Sequence, residues 1–252
     1  MANYNLLEVS NPEKLKSLKA MWEPRKEYIE KDLWVIRNFL TKAELKYLTD
    51  EANDTENWYP TMRSPYGQNI RNKFLGYIPQ YGEDGVLIPP HPDYDPQFMI
   101  TETLIDIQDR MEAVLPKYFG GAGAFQSFFE VPDEQIIAEL GHDVDYAMGF
   151  HYERDESDSE EVQKTIVVGK ITEAKITASF NLYINDNFDG GELMFKNKDY
   201  VIKPEPGMLV NVPLTKEFEH KVNKVTNGDR HALYGRCWDN LENSYLSSRE
   251  DC

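Results

Sequence analysis

The sequence predicts a mainly β fold, a jelly roll with N-terminal α-helices packed on one of its sheets. Three observations carry this. Short strand-like runs separated by Gly, Pro and Asn turns fill the chain from about residue 124 to about residue 239. The clearest run, 175–185, alternates strictly: Ile176, Ala178, Phe180, Leu182 and Ile184 interleave with Lys175, Thr177, Ser179, Asn181 and Tyr183. Period two sends one set to a hydrophobic core and the other to a polar surface or cavity. Ahead of these runs stand two amphipathic helix signals.

Taken in order, Leu33 to Leu40 is rich in strand formers. Thr41 and Glu44 then form a capping box, with Leu40 and Leu45 at the staple positions and Leu45, Leu48 and Ala52 along one helical face. Residues 60–97 hold seven prolines and read as loop-rich. A second helix is expected from about Thr101 to Leu115, with Leu104, Ile107, Met111, Val114 and Leu115 as its stripe and Pro116 as its stop. Gly120, Gly121 and Gly123 make a hinge before the strands begin. After the alternating strand come a turn at 186–191, a strand at 200–202, a Pro204–Gly207 turn, a strand at 208–212 and a last strand at 231–238. No internal boundary stands out. The expected organisation is an N-terminal extension (1–30), one domain (31–239) and a polar C-terminal tail (240–252).

Composition excludes several classes. The net charge is −17, from 27 basic and 44 acidic residues, which disfavours nucleic acid as a partner and reads first as a solubilising acidic surface and second as a preference for neutral or basic substrates. The cysteines are Cys237 and Cys252, too few for a disulfide framework. The opening Met1-Ala-Asn-Tyr-Asn5 lacks a basic segment followed by an apolar one, and no apolar run reaches membrane-spanning length. A cytoplasmic protein without a membrane partner is expected. Oligomeric state is not encoded in any pattern seen here.

The chain has five histidines, so the search for metal ligands is short. His151 and Glu153 are two apart on an expected strand and would face the same way. His220 lies 69 residues after His151, enough for the intervening hairpins. Two imidazoles and one carboxylate make the facial triad of non-haem Fe(II) oxygenases, which leaves three coordination positions open. Rival sets are His91 with Asp93, in a proline-rich loop, and His142 with Asp143 and Asp145. Asp155 is the rival carboxylate to Glu153. His231 alternates to the opposite face from Arg230 and reads as structural. Arg230 follows His220 by ten residues, and with Tyr183 it could grip a carboxylate. Asn181, Tyr234, Arg236 and Trp238 are further candidates for the substrate cavity.

With these residues assembled, the chain resembles the Fe(II)/2-oxoglutarate-dependent dioxygenases, and within them the prolyl 4-hydroxylase group. The resemblance rests on His151-Tyr-Glu153, Tyr183-Ile-Asn185, Gly190-Gly191-Glu192, Pro204-Glu-Pro-Gly207, and His220 with Arg230, in that order. The strand and capped helix at 34–44 resemble the family's N-terminal support. Glu153 stands where the family has aspartate. The resemblance implies a double-stranded β-helix (a cupin-like jelly roll). It implies Fe(II) held by His151, Glu153 and His220, and 2-oxoglutarate held by Arg230 and Tyr183, and it admits ascorbate as an accessory reductant. The implied reaction hydroxylates an unactivated C–H bond, first of all on a prolyl residue of a peptide or protein, with release of succinate and CO2. Other readings are a relative acting on another amino acid, a small molecule or a methylated nucleobase, and a non-catalytic jelly-roll module that binds a metal or partner. The segment from 154 to 172, acidic in its first part, reads either as a substrate-covering loop or as a solvated insertion.

Overall fold

The structure is a computed structural model that describes residues 12–54, 59–63, 69–74, 80–81, 87–88, 101–115, 124–129, 146–151 and 176–238. Side chains are described for 12–54, 101–115, 178–235 and 237. The chain opens with α1 (Pro12–Trp22) and a 3-10 turn at Glu23–Arg25, then the hairpin of β1 (Glu27–Glu30) and β2 (Leu33–Ile36). Next come α2 (Lys42–Asn53), β3 (Tyr59–Arg63), β4 (Asn69–Phe74), the short pair β5 (Gln80–Tyr81) and β6 (Leu87–Ile88), and α3 (Glu102–Val114). The remaining strands are β7 (Ala124–Phe129), β8 (Tyr146–His151), β9 (Ile176–Tyr183), β10 (Asp189–Gly190), β11 (Leu193–Phe195) and β12 (Val201–Ile202). They end with β13 (Leu209–Pro213), β14 (His220–Asn223), β15 (Val225–Asn227) and β16 (Asp229–Trp238).

Two sheets dominate. The large one runs β1-β2-β13-β9-β16-β7-β4-β3 and the small one β12-β11-β14-β8. From β7 onward the chain passes back and forth between them: β7, β9, β13 and β16 lie in the large sheet, and β8, β11, β12 and β14 in the small one. That alternation is a double-stranded β-helix. The sheets share one buried cluster, with Tyr183, Val210, Val212 and Ala232 from the large sheet and Leu193, Phe195, Ile202 and Val222 from the small one. This is the interior of the sandwich, where the two apolar faces remove each other from water.

The other face of the large sheet carries the helices. Ala178, Phe180, Leu182 and Ile184 pack in one cluster with Leu48 of α2, Ile107, Met111 and Val114 of α3, and Trp22 and Phe39. Each fully buried Leu, Ile or Phe there contributes about 1.5–3 kcal/mol. The alternating strand expected at 175–185 is thus β9, buried on both faces: its apolar set meets helices and its polar set meets the sandwich interior. Gly235 of β16 lets the ring of Phe180 lie across it, since a Cβ there would come within 2.5 Å of the ring.

Helix boundaries follow local chemistry. Thr41 caps α2, its side chain accepting from the Glu44 amide at 3.2 Å while Glu44 accepts from the Thr41 amide at 2.7 Å. Thr101 caps α3 in the same way from Leu104. Two segments differ from the sequence reading. The proline-rich stretch from residue 60 contributes β3 and β4 to the large sheet. Pro60 is tolerated there because β3 is the outermost strand and its register is irregular between Pro60 and Met62. Ahead of residue 31, β1 extends the same sheet, and α1 buries Trp22 against Phe39 at 5.0 Å between ring centroids. Among the described residues no helix is long and apolar enough to cross a membrane. The Gly120–Gly123 hinge, the acidic segment 154–172 and the tail 240–252 lie outside the described residues.

Glu44 does more than cap. Its Oε1 pairs with Nη2 of Arg110 at 2.8 Å and so ties α2 to α3, while the guanidinium lies 5.2 Å from the ring of Phe39. Burial pushes the Glu44 carboxyl up, but the bonds from Arg110 and Thr41 outweigh it and hold the group below its ordinary value of 4.5. A depressed carboxyl stabilises the fold fully above its unfolded value and loses that contribution as pH falls through the folded one. Glu44→Gln is therefore expected to cost about 2 kcal/mol at neutral pH. The difference from the native chain should shrink as pH drops below 4.5, as followed by urea unfolding at a series of pH values.

Candidate functional site

Strand pairing brings the two distant histidines together. In the small sheet β14 runs antiparallel to β8, and His220 is the direct partner of His151. Partners in an antiparallel pair stand on the same face of the sheet. For His220 that face is the interior, because it shares it with Val222 and sits across from Phe195, both in the interior cluster. Next to this pair the register slips, with Val222 opposite Met148, so β8 holds one residue more than β14 over the same span. Such a bulge re-aims the strand beside it.

The His220 ring is buried at 6% exposure. Its Nδ1–H donates to the carbonyl oxygen of Phe218 at 2.9 Å, which puts the ring's lone pair on Nε2. The Phe195 ring, at 6.1 Å between centroids, packs beside it. A backbone carbonyl that fixes the tautomer and an apolar neighbour that fixes the ring plane are what a metal-ligating imidazole needs.

The large sheet contributes the opposite wall. Ala232 of β16 pairs with Tyr183 of β9, and Arg230 lies two residues before Ala232 on the same face. Arg230 is 1% exposed, and its guanidinium carbon sits 4.9 Å from the centroid of the Tyr183 ring. Tyr183 is fully buried, and among the described residues its Oη has no hydrogen-bond partner. Gly191 closes on the arginine stem. A Cβ at residue 191 would come within 2.8 Å of Arg230 Cδ, and the backbone there has φ +72°. A buried guanidinium beside an orphaned phenol is a pair of donors on one interior wall, which matches a carboxylate acceptor. The donor set fits one carboxylate group.

Other candidates fall out as follows. Asn181 is buried on the interior face opposite Tyr234, which is half-buried. Arg236 pairs with Ser179 on that same face. Trp238 follows a register irregularity after Cys237, so alternation no longer fixes its side. His231 alternates to the helix-facing side, in line with a structural role. Glu153, Asp155, His91 with Asp93, and His142 with Asp143 and Asp145 lie outside the described residues. Cys237 is buried and its thiol is pushed up to about 12 by burial, so it stays protonated at neutral pH.

In the sequence Asn185 and Gly191 stand only as members of motifs, and no local pattern assigns either a task. The carboxamide of Asn185 accepts from the His231 amide at 2.8 Å and donates to the Asp229 carbonyl at 2.7 Å. An Asn just past a strand, followed by a turn, is the one local signal that could have pointed to it.

Residues 142–237 match the family model described as the 2OG-Fe(II) oxygenase superfamily. No curated protein sequence matches the chain. Among solved structures, a 2OG-Fe(II) oxygenase family oxidoreductase from Burkholderia pseudomallei is similar at 13% identity, covering 91% of this chain and 93% of that one, with a TM-score of 0.48. A prolyl-4-hydroxylase from Pseudomonas putida is similar at 15% identity, covering 88% and 97%, with a TM-score of 0.45. The viral collagen prolyl hydroxylase of Paramecium Bursaria Chlorella virus-1 is similar at 16% identity, covering 83% and 97%, also with a TM-score of 0.45. The matched stretch contains His151, Tyr183, His220 and Arg230, and over it the resemblance to the 2OG-Fe(II) oxygenase superfamily holds.

Proposed function

We propose that this chain is an Fe(II)- and 2-oxoglutarate-dependent dioxygenase that hydroxylates an unactivated C–H bond, with a prolyl residue of a peptide or protein as its substrate. The observation that carries this reading is the interior wall of Arg230 and Tyr183, in a sandwich whose other sheet pairs His151 with His220. His151, Glu153 and His220 would hold the iron. Arg230 and Tyr183 would hold the far carboxylate of 2-oxoglutarate. With Fe(II) and 2-oxoglutarate held there, the site would reduce dioxygen, one oxygen atom going to succinate as 2-oxoglutarate loses CO2 and the other to the substrate C–H, which becomes C–OH.

The protein's own contribution is binding and exclusion of water. His220 is presented in one tautomer by the Phe218 carbonyl, so Nε2 is the atom available to a metal. The guanidinium and phenol act within a buried interior, where charge-assisted bonds are stronger than in water. Asn181, Tyr234, Arg236 and Trp238 would line the way in for substrate. The prolyl assignment is supported by the order of the motifs from His151 to Arg230, and a net charge of −17 suits a neutral or basic peptide.

Anaerobic protein given Fe(II) and then 2-oxoglutarate should develop a weak visible charge-transfer band. Admission of oxygen with proline-containing peptides should then release succinate in step with hydroxylation. Failure of folded protein to produce the band would sink the oxygenase reading. A band without succinate from any candidate would instead favour a binding module. His220→Ala should lower the iron bound per chain. Arg230→Ala should weaken 2-oxoglutarate by about 3 kcal/mol, on the order of 100-fold. Tyr183→Phe should weaken it by about tenfold while leaving thermal stability equal or higher, because the phenol has no partner among the described residues. An unchanged affinity in that variant would remove Tyr183 from the site.

A further inference from the structure

We propose that Asn185 is the positioning residue of the carboxylate grip: its side chain fixes the two peptide groups that flank Arg230 and so aims the guanidinium. The proposal rests on the reading of Arg230 as the anchor for 2-oxoglutarate.

On one side β16 is held by β7, with Arg230 opposite Phe128. On the other side its partner runs out. β9 ends at Tyr183, opposite Ala232, and the chain then turns toward Asp186. From there the ladder is continued by two groups. The Ile184 amide donates to the His231 carbonyl at 3.0 Å, and then the Asn185 side chain takes over. Its Oδ1 accepts from the His231 N–H at 2.8 Å and its Nδ2 donates to the Asp229 carbonyl at 2.7 Å. The first bond holds the peptide after Arg230 and the second holds the peptide before it. A single planar carboxamide thus sets both peptide planes around the Arg230 Cα.

The second Nδ2 hydrogen goes to Oδ1 of Asn187 at 2.7 Å, which locks the carboxamide itself. Asparagine is the side chain this place demands. Aspartate keeps the acceptor but has no hydrogen for the Asp229 carbonyl, and glutamine is a methylene too long. Arg230 is then constrained at three points: its backbone by Asn185, its stem by Gly191, and its head by the Tyr183 ring. A guanidinium fork binds a carboxylate with two parallel bonds only when its plane is correctly set.

The test separates aim from general stability by using two cosubstrate acids. 2-Oxoglutarate and 2-oxobutyrate present the same chelating end, and the second lacks the distal carboxylate. Binding of each to the anaerobic Fe(II)-loaded full chain is measured by calorimetry, and exchange of the His231 amide by mass spectrometry or NMR. In Asn185→Ala the preference for 2-oxoglutarate over 2-oxobutyrate should fall on the order of tenfold, with faster exchange at His231. In Asn185→Asp the His231 amide should regain protection, and the preference should fall less. An unchanged preference in Asn185→Ala, or an equal loss for both acids, overturns the proposal. Should the alanine variant not fold, an unchanged preference in Asn185→Asp does the same. Arg230→Ala distinguishes the two levels of failure. If it loses the preference and the Asn185 variants keep it, only Asn185 is wrong; if native protein shows no preference, the carboxylate reading falls and takes the proposal with it.

Discussion

A guanidinium at 1% exposure between two β-sheets constrains everything near it. Moving a cation out of water costs several kcal/mol even after relaxation. Part of that cost is offset by the Tyr183 ring under the Arg230 head, since a cation over an aromatic face is worth about 0.5–2 kcal/mol. A carboxylate delivered by a cosubstrate would offset more. The surrounding sequence is shaped to admit the arginine stem: residue 191 must be glycine because a Cβ would collide with Arg230 Cδ and because φ is positive there. Gly228, with φ +74°, makes the turn that starts β16 one residue before Asp229. Gly191 is thus the local imprint of one buried cation, whereas Gly228 clears the Asn187 carbonyl and Phe188.

The large sheet makes this arrangement possible by having two buried faces. β9 and β16 each send alternate residues to the helices and to the sandwich interior, so the back of the sheet anchors the front. Phe180 and Leu182 pack among helices while Asn181 and Tyr183, their immediate neighbours, face inward. A one-residue shift of β9 would exchange its two sets and turn Tyr183 to the helix side, and the same shift of β16 would do so for Arg230. The helix side therefore fixes register for the chemical side. Gly235 under the Phe180 ring and the Glu44–Arg110 pair between α2 and α3 belong to that register lock, though both lie on the helix side.

Much of this was legible in the sequence where the signal is local. The alternation of 175–185, the Thr41 and Glu44 box, the apolar stripe of 104–115 and the turn at Gly207 each follow from neighbours within a few residues. The interval from His220 to Arg230 was legible as spacing. What could not be read is what depends on pairing. That His220 falls opposite His151 is a register fact between strands 69 residues apart, and the bulge beside it shows that counting alone would have missed it. α1 escaped because Leu15, Leu18 and Trp22 are a sparse stripe interrupted by Glu13, Lys14, Lys16 and Lys19, and its docking depends on Phe39. β3 and β4 escaped because proline signals loop, and only an outermost position makes Pro60 acceptable in a strand.

Asn185 shows the same limit at finer scale. Two of its partners, Asp229 and His231, are 44 and 46 residues away, so its identity looks like ordinary turn chemistry until the strands are assembled. A strand that ends one step too early leaves its neighbour's backbone polar groups to be met by something else, since buried amides and carbonyls are rarely left unpaired. Here that something is a side chain, and the strand it completes carries the arginine. Ending β9 at Tyr183 frees the following residues to turn toward Gly191, which the Arg230 stem requires. The early end and the substitute carboxamide are therefore one requirement: the chain must leave the sheet to make room for Arg230, and Asn185 restores the hydrogen bonding that the departure would otherwise remove.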